Sequence, residues 1–398
     1  MYSDNFHIIT VPVYPIKCKT FIEQINECFE RISVFLKCKD LSSSHIIKQS
    51  IFCRFDGQSD HSLLTRKLDP AFNNYYKSAI PPTNIVFQNP ENQAHVSMEF
   101  LLFTGNISQI ENKKFEGIDY IVVHYPAYDA VIAAGITTGE KYPSVFEQAA
   151  SAFELTKQLL AAEKLDFSNI VRQWNYIENI SSSAQNDLNS VSNYHHFNKI
   201  RSAYYDGFNF KNGYPASTGI GVMAGGVILD ILAISNTDSV SIFSLENPSQ
   251  INAHQYSNDV ITLIPGENIL SATPKFERAK ILSFDDHDLI FISGTAAIIG
   301  QDTVYDEDIE KQTLTTIDNI TRLVSAPNLE LFGILKNIEP GSFSNIRVYI
   351  KNEKDMEAVK KICNFHFQDV PSLFVVSDIC RTNLLVEIEG NVDLIKVP

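Results

Sequence analysis

Near the carboxy terminus, the run LLVEIE at 384–389 alternates apolar and acidic residues. The two-residue period of an extended strand puts Leu385, Glu387 and Glu389 on one face and Leu384, Val386 and Ile388 on the other. A carboxyl held between apolar neighbours loses hydration and keeps its proton, which makes Glu387 a candidate general acid near neutral pH. The alternative is that both glutamates point into solvent from a terminal strand. Arginines are the second chemically distinctive set. In FNKIRSAYY a helix would align Asn198, Arg201 and Tyr205, and a guanidinium there could grip a carboxylate with two parallel hydrogen bonds, which lysine cannot. Arg278 in FERAK, Arg347 in NIRVYIK and Arg381 are further anion clamps, two of which are expected at a substrate. Tyr194 and Tyr205 could donate hydroxyls, although surface packing explains a single tyrosine equally well. In 345–351, Asn345, Arg347, Tyr349 and Lys351 oppose Ile346, Val348 and Ile350, which is also the pattern of an ordinary half-exposed strand.

The composition narrows what these residues could act on. Of 398 residues, 47 are acidic and 32 basic, a net charge of −15 that repels nucleic acid and anionic membranes. Neither is expected as a partner. A small anion would need arginines gathered locally. No Gly-Lys-Ser/Thr phosphate loop, Gly-x-Gly-x-x-Gly turn, Gly-x-Ser-x-Gly elbow or His-Glu-x-x-His pair occurs. His195 and His196 are adjacent and would diverge on a helix. No cofactor and no metal is expected. Six cysteines without a Cys-x-x-Cys pair read as free thiols of a reducing compartment. The start MYSDNFHIIT lacks the apolar core of a secretory leader. The longest apolar stretch, 219–234, is interrupted by Asp230 and falls short of the roughly 20 residues that span a bilayer. A cytoplasmic location is expected.

The pattern of elements is mixed. Strands are expected at 6–14, 50–54, 96–104, 118–126, 225–234, 239–245, 259–264, 289–299, 345–351, 372–376 and 383–389, and an apolar pattern runs through 169–180 around Trp174. Helices are expected over 20–38, 144–163, 194–208, 307–324 and 353–364. The Pro- and Asn-rich stretch 60–95 reads as extended or loop-like, 181–192 as a polar loop or helix start, and 212–221 as a turn-rich junction. The last third orders as strand, helix, strand, helix, strand, strand, an α+β layer with helices on one side of a mixed sheet. The expected division is an amino-terminal α/β domain at 1–165, a central segment at 166–270 that contributes to the active site, and a domain at 271–398.

Several segments together resemble the chorismatase family: RQWNYIENI at 172–180, YHHFNKIRSAYY at 194–205, YPASTGIG at 214–221, FERAK at 276–280, FISGTAAIIG at 291–300 and CRTNLLVEIEG at 380–390. The last third also looks like the wider RidA (YjgF-type, chorismate mutase-like) fold, with a related α/β layer before it. The resemblance covers 165–398 well and the amino-terminal part weakly. It implies an enzyme that splits chorismate into pyruvate and a ring product, and a homotrimer with sites near subunit boundaries. Cleaving the enolpyruvyl ether requires protonating its methylene carbon, so the resemblance favours Glu387 as catalyst. A cysteine at position 380 is similar to the branch that makes 3-hydroxybenzoate, with Cys380 a selectivity residue that has no covalent role; otherwise it is an inert buried thiol. The alternatives are hydrolysis to a dihydroxycyclohexadiene carboxylate, formation of 4-hydroxybenzoate, a RidA-like enamine or imine deaminase, and a non-catalytic metabolite-binding trimer.

Overall fold

The computed structural model describes residues 6–396, apart from 18–19, 58–60, 78, 183–190, 236–239, 262 and 264–267. One topology occurs three times along the chain. The first layer contains β1 (Ile8–Val13), α1 (Phe21–Cys38), β2 (Ile46–Cys53), α2 (His61–Tyr75), β3 (Thr83–Phe87) and β5 (Val96–Phe103), in the sheet order β1-β5-β2-β3. The two-residue β4 (Asn89–Pro90) leaves this layer to edge the third sheet. The second layer runs β6 (Ile110–Phe115), β7 (Ile118–His124), β8 (Asp129–Ile136), α3 (Val145–Ala162), β9 (Ile170–Glu178), α4 (Asn193–Tyr205), β10 (Ala216–Val222) and β11 (Val227–Ile234). Its order is β10-β9-β11-β8-β7-β6.

The third layer has β12 (Ser241–Leu245), α5 (Ile269–Ala272), β13 (Ala279–Ser283), β14 (His287–Ala296), a small ribbon of β15 (Ile298–Ile299) and β16 (Asp302–Thr303), α6 (Ile309–Leu323), α7 (Ala326–Leu329), β17 (Asn345–Ile350), α8 (Met356–Phe367), β18 (Ser372–Val376) and β19 (Val386–Ile395). In every layer the last strand inserts antiparallel between the first and the second of the core strands, and the next pair is parallel: β2–β3, β9–β10 and β17–β18. The second sheet draws strands from both sides of residue 165, so the expected unit 1–165 shares a sheet with the central segment.

Each layer carries two long helices on one face. Their apolar stripes, such as Ile25, Cys28, Phe29, Ile32 and Leu36 of α1, are buried against the sheet. The opposite faces of all three sheets meet in a common interior. There, Ile47 and Phe103 of the first layer pack with Ile132 and Leu232 of the second and Leu289 and Phe291 of the third.

Six ionisable residues occupy equivalent places in this interior. Lys48, Arg172 and Arg347 are third in β2, β9 and β17, while Glu99, Asp230 and Glu389 are fourth in β5, β11 and β19. Each cation reaches the acid of the next layer: Lys48 to Asp230 at 2.9 Å, Arg172 to Glu389 at 2.6 Å, and Arg347 back to Glu99. All six are buried. Desolvating them is costly, and the cyclic pairing offsets that cost only while every layer is in place.

Several expectations need correction. The stretch 60–95 contains α2, because Leu64, Leu68, Ala71 and Phe72 line one buried face despite Pro70 within the helix; burial overrides local propensity. Residues 216–221 of the supposed junction belong to β10, which runs parallel to β9. Residues 259–261 are turn and coil rather than strand, and 262 and 264 lie outside the described residues, as does most of 181–192. The final strand is β19 rather than 383–389. It runs through Gly390, where any Cβ would press 2.8 Å from the Asn345 carbonyl. β17 is buried along its whole length instead of half-exposed. Strands β6, β8 and β13 were not anticipated. Cys28, Cys38, Cys53, Cys363 and Cys380 are free thiols, and Cys18 lies outside the described residues. Among the described residues, no helix is long and apolar enough to cross a membrane.

Candidate active site

A cavity of about 290 Å³ opens between the second and third layers, at the small end of the range for sites that enclose metabolites. Tyr194, His195 and Asn198 of α4 form one wall. Ser192 caps that helix, accepting a hydrogen bond from His195 N at 3.2 Å, and so sets its start. Ser217 and Gly219 of β10 form the floor, and Arg278, Gly294, Cys380, Arg381 and Glu387 come from the third layer.

Glu387 is 4% exposed. It sits opposite Tyr349 on β17 and Ala296 on β14, beside a register shift in the β14–β19 ladder between Ile292 and Thr295. Gly294 lies in that bulge, where a Cβ would overlap Glu387 Oε1; the carboxyl therefore lies across the glycine. Burial, then the charge of Glu389, push the Glu387 carboxyl up to about 8, against the pull of Arg172 and Arg278. No described residue hydrogen-bonds this carboxyl. It is a neutral acid at pH 7.

Glu389, two residues along the same strand face, behaves in the opposite way. Burial would raise it, but the guanidinium groups of Arg347 and Arg172, with hydrogen bonds from Thr218 and Trp174, hold it below the usual carboxylate range. Trp174 Nε1 donates to it at 3.0 Å, Arg172 reaches it at 2.6 Å and Arg347 at 3.1 Å. Thr218 links this cluster to the bulge, because its Oγ1 accepts from Gly294 N at 3.0 Å. Two neighbouring carboxyls are thus split into one charged and one protonated group, the arrangement expected of an acid-catalysis site.

The arginines divide between cavity and interior. Arg278 and Arg381 line the cavity with Tyr256 between them, their guanidinium carbons 5.8 and 5.2 Å from its ring centroid. Arg278 donates to Ile251 O at 2.5 Å and to the Tyr256 hydroxyl at 2.8 Å, leaving its buried Nε without a partner. Arg381 is braced by Gln301 O at 2.8 Å.

Three expected substrate contacts lie elsewhere. Arg347 faces Glu99 and Glu389 in the central ion-pair ring, because β17 lies one strand beyond β19 and its polar face turns inward. Arg201 stands behind the cavity wall and donates to Asn198 Oδ1 at 2.5 Å, so it positions a lining residue. Tyr205, the last residue of α4, is buried and donates its hydroxyl to Gln173 Oε1 at 2.9 Å. Tyr194 does line the cavity, and burial keeps its phenol protonated. The Cys380 thiol is also in the wall; burial first, then the Glu387 carboxyl, push it up to about 12, so it stays a thiol and is no nucleophile at neutral pH.

Sequence reasoning missed His195, Asn198 and Tyr256 as cavity residues, and Arg172 and Trp174 behind them. An arginine in the middle of the apolar strand IVRQWNYI was the available signal for the last two, since an unpaired charge would not be buried there. Tyr256 lies in irregular chain and offered no periodicity to read.

A neutral carboxyl in a small cavity edged by two guanidinium groups defines a class of site, one whose groups could hold a small anion and deliver a proton to it. The comparisons with known proteins narrow that class. Residues 119–233 match the family model described as "Chorismatase FkbO/Hyg5-like, N-terminal". The chain is 31% identical over 234 residues to a 3-hydroxybenzoate synthase of Streptomyces hygroscopicus, covering 57% of this chain and 64% of that protein. It is 29% identical over 269 residues to a chorismatase of the same organism, covering 66% and 72%. Its fold superposes on a chorismatase crystal structure with a TM-score of 0.70 at 21% identity, over 98% of this chain and all of that one. The chain is thus similar in sequence to chorismatases and shares the fold of one, and its match spans a little under two thirds of the first of these relatives.

Proposed function

We propose that this protein converts chorismate to 3-hydroxybenzoate and pyruvate. The observation that carries the reading is Glu387, protonated at neutral pH inside a cavity whose rim holds Arg278 and Arg381. Chorismate carries two carboxylates, which the two guanidinium groups would clamp. Glu387 then gives its proton to the methylene carbon of the enolpyruvyl ether, and positive charge develops on the adjacent ether carbon. The neighbouring ring hydroxyl attacks that carbon and passes its proton to the original ether oxygen, whose bond to the side chain breaks so that it stays on the ring as a hydroxyl. The ring-carbon bond to the attacking oxygen then breaks, and pyruvate leaves with that oxygen. Loss of a ring proton completes the aromatic product, with the Glu387 carboxylate as acceptor. Chorismate has the summed composition of its two products, so no water is consumed and the acid is restored. Similarity to a relative named for 3-hydroxybenzoate synthesis supports this branch.

Incubating the purified protein with chorismate and resolving the products by chromatography tests the reading. Absence of pyruvate would remove the enzyme class, whereas a non-aromatic diol would remove only the branch. Cys380→Ala is expected to keep pyruvate release within about tenfold of the parent while lowering the fraction of 3-hydroxybenzoate, because the thiol lines the wall and has no covalent part. An unchanged product ratio would deny it a role in selectivity.

The homotrimer implied by the resemblance meets a competing reading in the fold. Three layers of one topology already enclose a common interior within one chain, and the cavity is lined by the second and third of them. This favours a monomer as the catalytic unit. Light scattering is expected to give a mass near 44.8 kDa; a species of three chains would restore the trimer. A cytoplasmic location is part of the same proposal.

A further inference from the structure

We propose a divalent transition-metal site at the seam between the first and third layers, formed by His7, Asp286 and His287. His7 immediately precedes β1, and Asp286 and His287 close the β13–β14 hairpin. None of the three lines the Glu387 cavity. One ligand atom from each residue lies within 4.8 Å of the others. His7 Nε2 is 3.2 Å from Asp286 Oδ2, and His287 Nδ1 is 2.8 Å from Asp286 Oδ1. With bonds of about 2.0–2.2 Å, ligand atoms around a zinc-sized ion lie roughly 3–3.5 Å apart. Two of these spacings already lie at or just below that range, and the third, between the two imidazole nitrogens, is within 4.8 Å.

The surroundings fit such an ion. His7 Nδ1 faces the Asp393 carboxylate at 3.6 Å, the outer partner that orients a metal-bound imidazole and raises its basicity. One oxygen of Asp393 is buried without a partner. His287 is fully buried, stacked on His7 at 3.6 Å between ring centroids, and its Nε2 edge has no partner among the described residues. The two ring planes lie 22° from parallel, so one ring must tilt for both nitrogen lone pairs to converge on a single ion. Asp286 is 44% exposed, which gives the ion an entry path and leaves a fourth position for water. Two imidazole nitrogens and one carboxylate oxygen suit Zn²⁺, Co²⁺ or Ni²⁺ rather than Mg²⁺ or Ca²⁺. Because the donors come from two layers, the ion would pin the start of β1 to the β13–β14 hairpin.

The test uses the full-length protein, stripped with a chelator and titrated with Zn²⁺ or Co²⁺ alone. One equivalent should bind saturably and raise the Tm, and Co²⁺ should give weak visible d–d bands without a thiolate charge-transfer band. His7→Gln and Asp286→Asn should each weaken binding at least tenfold, with metal-free melting kept close to the parent because both side chains are partly exposed. Lack of saturable binding in the parent, parental affinity in both variants, or a thiolate–cobalt band would each overturn the site.

Discussion

Glu387→Gln should lower kcat by about two to four orders of magnitude, the usual contribution of a positioned general acid. The amide keeps the shape and the packing across Gly294 but has no proton to give. In the parent, the acid must be protonated, so turnover should fall as pH rises past about 8. The same residue sets a stability signature. Its folded value is raised by burial first and the Glu389 charge second. Between the ordinary 4.5 and about 8 the folded chain therefore binds more protons than the unfolded one, and stability declines with rising pH. Glutamine has no such penalty. Relative to the parent, the variant should gain stability across that window by up to about 5 kcal/mol. Denaturant melts at several pH values check this. A parallel pH dependence in the two proteins would mean that Glu387 is solvated and ionised, and the proton-delivery mechanism would fail with it.

The second large effect belongs to Glu389. Replacing it by Gln leaves Arg172 without its anionic partner, while Arg347 keeps Glu99. Breaking one side of a buried ion pair costs about 3–5 kcal/mol, to be read from chemical denaturation. Removal of the negative charge two residues from Glu387 should also ease ionisation of the acid, so the alkaline limb of the pH–rate profile should shift to lower pH. A merely structural role for Glu389 would reduce stability and leave that limb where it was. The two readouts separate scaffold from catalysis, because one reports the central ring and the other reports the field at the cavity.

Much of the secondary structure was legible because its causes are local. The helical stripe of α1 and the alternation that puts Glu387 and Glu389 on one face follow from backbone periods alone. The failures have physical reasons too. Pro70 and the nearby asparagines mask the apolar stripe of α2, and Gly390 reads as a stop although β19 needs it to pass Asn345. The threefold repetition escaped notice because each layer retains only an interior cation and acid at fixed strand positions, with the flanking residues changed. Arg347 illustrates the limit most directly. Its strand face was read correctly, but which cavity that face borders depends on where β17 stands relative to β19.

The sequence by itself determined most of the elements, the faces that alternate along them, a net negative charge, and a short set of chemically capable side chains. Tertiary structure alone decided which of them meet. Glu387 became a protonated acid and Glu389 a fixed anion on the same strand because one points into a cavity and the other into a ring of guanidinium groups. Field and desolvation depend on distances between strands far apart in the chain, and no local pattern encodes those distances.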